Sequence, residues 1–310
     1  GDFVADGRWP LATLTARYDA LASRHGWTAD SIYRYSADPT LAIRAWRTPR
    51  QGPALWLIAG IHGEEPAGPN AIARQLPALV ALARQGVPIV LIPLCNPKAY
   101  RSNWRYPNTA ERDWRQGGYS VGDAEDLLPG LDDATQPREA AAPGPETAAL
   151  TRYALQLAKT YPPRLVVDLH EDELSVAGGY LYSQGVVPND NPVAAEVIRL
   201  LRSAGIPLRE GGQTRFGETI LNGVISRDDR GGPIRDGSID ELLASPVVFA
   251  EGSPVAGPAA PTVIVVETPA FAGSRLSLRV AKEDFLLIRK VPPFWVGFRS
   301  APIRTYHQVP

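Results

Sequence analysis

Residues 55–65 read Leu-Trp-Leu-Ile-Ala-Gly-Ile-His-Gly-Glu-Glu. The first five form a short, continuous apolar run, the pattern of a strand buried on both faces. The run breaks at Gly60 and delivers His62, Glu64 and Glu65 into a turn that Pro66 closes. Three other segments repeat this arrangement. Ile89–Leu94 leads into Cys95, Asn96 and Pro97; Leu165–Leu169 leads into His170 and Glu171; Thr262–Val266 leads into Glu267, Thr268 and Pro269. Ligands of open α/β sheets bind beyond the carboxyl ends of the strands. Four strands therefore deliver polar side chains where a site would form, and two of the four histidines in the chain are among them.

Working outward, Tyr180–Tyr182 reads as a further strand. Helical spacing runs from Pro66 to Arg84, with Pro77 as a break or kink. Glu146–Lys159, Pro192–Ser203 and Lys282–Lys290 are amphipathic helices. Strands alternating with helices predict an α/β fold: a mixed, largely parallel sheet with helices on both faces. Gly117–Pro145 and Glu210–Pro261 read as long loops, which in compact domains are functional or mobile. There is no internal repeat and no domain boundary. The expectation is one α/β domain over residues 1–310, with a catalytic core at about 50–290 and the Pro- and aromatic-rich tail 291–310 packed on it.

Composition removes several classes of function. Lysine plus arginine number 32 and aspartate plus glutamate 33, so no basic footprint for nucleic acid exists. No apolar run approaches the roughly 18–20 residues needed to span a bilayer, so no membrane partner is expected. The lone Cys95 lies within an apolar run and reads as a buried, inert thiol. The opening residues lack the basic and apolar regions of a secretory leader. That predicts a cytoplasmic location, with a periplasmic one open if a leader has been removed. The pattern gives no oligomeric state.

His62 and Glu65 stand three apart, and His170 arrives from a distant strand. Imidazole nitrogen and carboxylate oxygen suit Zn²⁺, which in catalytic sites keeps three protein ligands and one open position. The expected cofactor is one zinc ion on His62, Glu65 and His170. Taken singly, each motif has a plainer reading: a turn with a solvated glutamate, an Asp168–His170 hydrogen-bonded pair, or a helix-capping Glu267. Their recurrence at strand ends in one chain favours the metal. His25 falls in a polar N-terminal helix and His307 in the tail, so neither competes.

The order of motifs is H-x-x-E, Asn-Pro, Trp104-Arg105, Arg112-Asp113-Trp114-Arg115, Asp-Leu-His and Val-Glu-Thr-Pro. It resembles the M14 zinc carboxypeptidases and their aspartoacylase and succinylglutamate desuccinylase relatives, over about residues 50 to 290. The resemblance implies a zinc carboxypeptidase-like fold, with His62, Glu65 and His170 as zinc ligands. It makes Glu267 the general base and Arg105 the arginine that stabilises the oxyanion. Arg115 falls on the family's Asn-Arg pair for the substrate carboxylate, although Trp114 stands in place of the asparagine. Asn96, Arg101 and Asp172 are further candidates for substrate contact; Arg101 reads more simply as a solvated loop arginine. Tyr119, Tyr180 and Tyr182 are candidates for a substrate-capping tyrosine.

The implied activity is a zinc-dependent carboxypeptidase or amidase that cuts an amide bond next to a free carboxylate. The alternative is an N-acyl-amino-acid deacylase, and a third reading is a catalytically dead binding protein. The expected partner is a small peptide or acyl-amino-acid substrate. A serine hydrolase is disfavoured at Gly252-Ser253-Pro254, where proline occupies the position at which the nucleophile elbow must turn into a helix. Finally, the acidic run Glu171-Asp172-Glu173 follows a ligand directly. If the strand continues past His170, Asp172 shares its face and Glu171 does not. An inward carboxylate predicts a substrate with a cationic group, such as a diamino acid; the plainer reading is a solvated edge or a support for His170.

Overall fold

The computed structural model describes residues 7–109, 117–172, 178–185 and 191–269. The chain opens with helix α1 (Leu11–His25) and a hairpin, β1 (Thr28–Arg34) and β2 (Ala42–Arg47). The first apolar run follows as β3 (Ala54–Ala59). Helices α2 (Ala67–Arg74) and α3 (Leu76–Arg84) return the chain to β4 (Ile89–Ile92), and α4 (Pro97–Ser102) follows at once. After a long irregular stretch come α5 (Pro145–Ala158), β5 (Pro163–Asp172), β6 (Tyr180–Gln184) and α6 (Pro192–Ser203). Short strands β7 (Gly211–Gln213), β8 (Thr219–Leu221) and β9 (Val224–Ile225) precede α7 (Ile239–Ala244). A separate hairpin, β10 (Val247–Ala250) and β11 (Ser253–Ala256), leads to β12 (Thr262–Pro269).

Ten strands make one sheet in the order β1-β2-β4-β3-β5-β12-β6-β9-β8-β7. The middle four, β4, β3, β5 and β12, are mutually parallel; antiparallel strands β2 and β6 flank them. This is the mixed, largely parallel core that the apolar runs predict. Side chains alternate across it. Leu55, Leu57, Leu91, Val167 and Ile264 pack against α1, α2, α3 and α6. Trp56, Ile58, Val90, Val166 and Val263 pack against α5 and α7. Both faces of β3 are buried, which is why its sequence shows no alternation. Fully burying a side chain of this kind stabilises the fold by about 1.5–3 kcal/mol.

Several boundaries differ from the sequence reading. Residues 66–84 form two helices that meet at Gln75, and Pro77 sits in the first turn of α3, where its missing N–H costs nothing. Glu210–Pro261 is no loop: it holds β7 to β11 and α7. Those strands run two to four residues, too short for hydrophobic periodicity to register. The hairpin β1–β2 likewise left no recognised signal. The helix Lys282–Lys290 and the tail 291–310 lie outside the described residues. Cys95 is fully buried and burial pushes its thiol well up, as expected of an inert cysteine. No helix among the described residues is long and apolar enough to cross a membrane.

The turn after β3 is held by close backbone approach. Gly60 takes φ +67°, a left-handed conformation that glycine adopts without strain. At Gly63, an added Cβ would run into the backbone of Ala99, Tyr100 and Trp104, closer than real Cβ atoms approach. Arg8 ties the same turn to α4: Nη1 donates to the carbonyls of Gly63 and Tyr100, and Nη2 to Asn103 Oδ1. Gly63→Ala should therefore destabilise the protein by about 1–3 kcal/mol, the usual cost of overpacking. Urea unfolding midpoints of the two proteins measure this; an unchanged midpoint would refute the contact.

Candidate metal centre

Three parallel strands bring the site together. In the pairing of β3 with β5, Ala59 lies beside Leu169. His62, three residues beyond the end of β3, thus reaches the neighbourhood of His170. In the pairing of β12 with β5, Glu267 lies directly beside His170. Neighbouring strands are about 4.8 Å apart, and laterally paired residues share a face. His170 and Glu267 thus project side by side toward the α5 and α7 layer.

The ligand candidates converge closely. His62 Nδ1 is 2.8 Å from Glu65 Oε1, and His170 Nδ1 is 2.9 Å from Glu65 Oε2. The two Nδ1 atoms are 3.3 Å apart. Ligand atoms held about 2.0–2.1 Å from a tetrahedral zinc stand about 3.3 Å from one another, so the donor set fits such an ion. One carboxylate oxygen faces each imidazole, and the nitrogens turned away from the cluster are held from behind. His170 Nε2 bonds to Asp168 Oδ2 at 2.9 Å, and His62 Nε2 lies 3.5 Å from Ser120 Oγ. A carboxylate on the far nitrogen fixes ring orientation and raises ligand basicity. Asp168, His170 and Asp240 of α7 form a second, wholly buried group behind the first.

Electrostatics follow from burial. Desolvation, reinforced by the Arg105 cation, pushes His62 down to about 4, so this imidazole is neutral and ready to ligate. For His170, burial opposes the charge, but the anions of Asp168 and Glu65 outweigh it and hold the pKa well above the usual value. Burial likewise works against the Glu65 anion, yet His62 and His170 hold its carboxyl well below the ordinary range. Burial, then the Glu65 charge, pushes Glu64 up to about 7.

Arg105 lies at the rim of this group. Its Nη1 donates to Glu64 Oε1 at 3.3 Å and to Glu65 Oε1 at 3.4 Å. Asn96 is elsewhere in purpose. It is fully buried, caps α4 by accepting from Ala99 N, and donates through Nδ2 to the carbonyls of Ile61 and Arg105. The expectation that it touches substrate is corrected: its polar atoms serve backbone, tying the β3 turn to the Arg105 loop. Arg101, in the last turn of α4, is exposed and paired with Asp38 at 2.5 Å. Arg115 lies outside the described residues.

The acidic run resolves partly. Strand β5 continues to Asp172, so Glu171 turns to the opposite face. There its Oε2 accepts from Ala67 N at the start of α2, 3.0 Å away, a favourable place for an anion. Asp172 stays on the face of His170 and accepts from the Tyr180 hydroxyl at 2.8 Å. Glu173 lies outside the described residues.

Sequence reading missed Ser120 and Asp240. Ser120 did carry a signal: Gly118-Tyr119-Ser120-Val121-Gly122 has the G-x-S-x-G spacing. The structure places it in an irregular loop and not in a strand-to-helix elbow, so the nucleophile reading fails on context. Asp240 had none, because nothing local distinguishes it from the exposed acids of Glu210–Pro261.

Comparison with known proteins agrees with this geometry. Residues 51–214, more than half of the chain, match the family model described as the succinylglutamate desuccinylase/aspartoacylase catalytic domain. The chain belongs to that family. A candidate metallopeptidase from Shewanella baltica OS155 is 19% identical, with 87% of each chain covered and a TM-score of 0.64. Another from Shewanella denitrificans OS217 is 20% identical over 88% of each chain, with a TM-score of 0.61. Carboxypeptidase A from Helicoverpa armigera is 12% identical over 91% of this chain and 73% of its own, with a TM-score of 0.57. At these identities the likeness is one of fold. No curated protein matches the sequence.

The raised pKa of His170 has a measurable sign. Held well above the usual imidazole range, it carries a proton at neutral pH, and an ion must displace that proton to bind. Metal uptake should therefore release close to one proton, and affinity should fall as pH drops from about 7 to about 5. Titration calorimetry with zinc in buffers of different ionisation enthalpy measures the release; uptake without proton release would contradict it.

Proposed function

We propose that this family member is a zinc-dependent hydrolase that cuts an amide bond next to a free carboxylate, in the manner of a carboxypeptidase or amidase. The observation that carries the reading is the meeting of His62, Glu65 and His170 with Glu267 in register beside His170. His62, Glu65 and His170 would hold the ion. A zinc ion there supplies a Lewis acid that polarises the substrate carbonyl and lowers the pKa of water.

The remaining steps belong to the chain's own side chains. Glu267 is partly exposed, so its carboxylate is open to a water molecule and to the leaving amine. It accepts the proton of the attacking water and returns it to the amine nitrogen. The Arg105 guanidinium presents donors toward the charge that develops on the carbonyl oxygen. Asp168 holds His170 Nε2 and keeps Nδ1 turned toward Glu65, where it would be free to ligate an ion. Arg115 grips the substrate carboxylate through its planar fork.

A second reading, hydrolysis of N-acyl amino acids, is favoured by the family model, whose two named enzymes are a desuccinylase and an aspartoacylase. Both readings use the same side chains and differ in what occupies the acyl side. Parallel assays of dipeptides and N-acyl amino acids separate them, since the first reading expects turnover of the peptides. A catalytically dead binding protein has little support, because Glu267 and all three ligand residues are present.

Two substitutions test the roles. Glu267→Gln keeps shape and loses the proton acceptor; metal content should hold while kcat falls by roughly 10²–10⁴. Arg105→Ala should lower kcat by roughly 10²–10³, the effect of losing one oxyanion donor. Normal turnover of zinc-loaded Glu267→Gln would overturn the assignment of the base.

A further inference from the structure

Behind His170 lies a pair of carboxyl groups with too few hydrogen-bond donors around them. Asp168 stands two residues before His170 on β5, so both side chains point to the α5 and α7 side of the sheet. Asp240 comes from the first turn of α7, a helix that packs directly on β5 and β12. That packing brings the two carboxyl groups into hydrogen-bond contact. An oxygen of each and a nitrogen of His170 lie within 4.8 Å of one another. Asp168 is fully buried and Asp240 nearly so.

The donors nearby are already engaged. His170 Nε2 is held by Asp168 Oδ2 at 2.9 Å. Cys95, the thiol close enough to feel both carboxyl groups, turns its Sγ to the Ile92 carbonyl, 3.5 Å away. Among the described residues, no lysine or arginine pairs with either aspartate; the cationic partner of Asp168 is His170. Asp168 Oδ1 and Asp240 Oδ1 are both buried and both lack a donor.

Two acceptors in contact, each without a donor and out of water, cost free energy twice over: two polar groups unsatisfied and two like charges opposed. One hydrogen between them removes both costs. Asp168 already accepts from His170, so the hydrogen belongs to Asp240. Asp168 is then gripped at both oxygens and cannot rotate away from the imidazole. The opposite end of that imidazole, Nδ1, faces Glu65 Oε2 at 2.9 Å. Helix α7, which supplies no candidate ligand, thereby sets the direction in which His170 presents its nitrogen.

We propose that Asp240 is a positioning residue of the metal centre: its carboxyl hydroxyl donates to Asp168 Oδ1, and Asp168 in turn aims His170 at the ion. The inference rests on the metal-binding part of the reading above and adds to it a residue that the three ligands do not touch through any hydrogen bond.

The test compares the full-length parent with Asp240→Asn and Asp240→Leu. Asparagine keeps a donor in place through its amide N–H, whereas leucine keeps similar volume and has none. Zinc affinity, measured by competition with a chromophoric chelator, should stay near the parent's in Asp240→Asn. In Asp240→Leu it should fall by roughly 10–100-fold, the usual effect of losing an outer hydrogen-bond partner of a ligand. The visible spectrum of the cobalt(II) form should change in the leucine variant and be restored in the asparagine one, because it reports the ligand field and not the stability of the fold. Equal losses in the two variants, or parental affinity in Asp240→Leu, would overturn the proposal. Infrared difference spectra of the parent against Asp240→Asn decide the matter even where Asp240→Leu does not fold. The parent should show the carbonyl stretch of a protonated, buried carboxyl group that the variant lacks, and a parent without that band refutes the hydrogen bond. A parent that binds neither zinc nor cobalt sinks the metal reading and the positioning role with it, whereas a missing infrared band sinks the role of Asp240 alone.

Discussion

The parallel register of β3, β5 and β12 is the constraint from which the site follows. Ala59 beside Leu169 and His170 beside Glu267 are backbone pairings. They place the candidate ligands and the proposed base within reach before any side chain interacts. A slip of one residue in either pairing would turn a whole set of side chains to the other face. Burial of both faces of β3 and β5 makes such a slip costly, because it would exchange two packed cores. The precision of the site is thus a by-product of the apolar packing beneath it.

Around that frame the structure devotes many polar contacts to holding the ligand turn still. Asn96 binds Ile61 and Arg105 through their carbonyls. Arg8 reaches across from the N-terminal side to Gly63, Tyr100 and Asn103. Glu171 steadies the start of α2 on the other face. Each of these side chains fixes a backbone that carries a candidate site residue, and a site on such supported turns loses little accuracy to loop motion.

The charges are arranged with equal economy. Two carboxylates, Glu65 and Asp168, flank His170 on its two nitrogens. One is the candidate ligand and the other its orienting partner. Behind them Asp240 is buried beside Asp168, and burial together with that neighbour pushes its carboxyl well up. Two carboxyl groups at such close quarters resist joint ionisation. On the outer side, the Tyr180 and Tyr182 hydroxyls donate to Asp172 and Glu218. Arg105 meets the group through Glu64 and Glu65.

Much of this was legible in the sequence. Four apolar runs, each ending in polar residues, determined the parallel core, the identity of His62, Glu65 and His170 as a set, and the position of Glu267. Those signals are local: hydrophobic continuity and residue type at a strand end need no partner to be read. The short strands between Glu210 and Pro261, the hairpin β1–β2, and the service roles of Asn96, Ser120, Asp240 and Glu171 were decided only by tertiary structure. Two- and three-residue strands have no period to detect. A buried polar group is told from an exposed one only by what surrounds it, and its surroundings here come from segments up to about a hundred residues away, as with Glu171 and Ala67. The orientation of Asp172 shows the boundary between the two kinds of knowledge. Alternation fixed which face it would take if the strand continued, but pairing of Pro269 with Asp172 was what carried the strand that far.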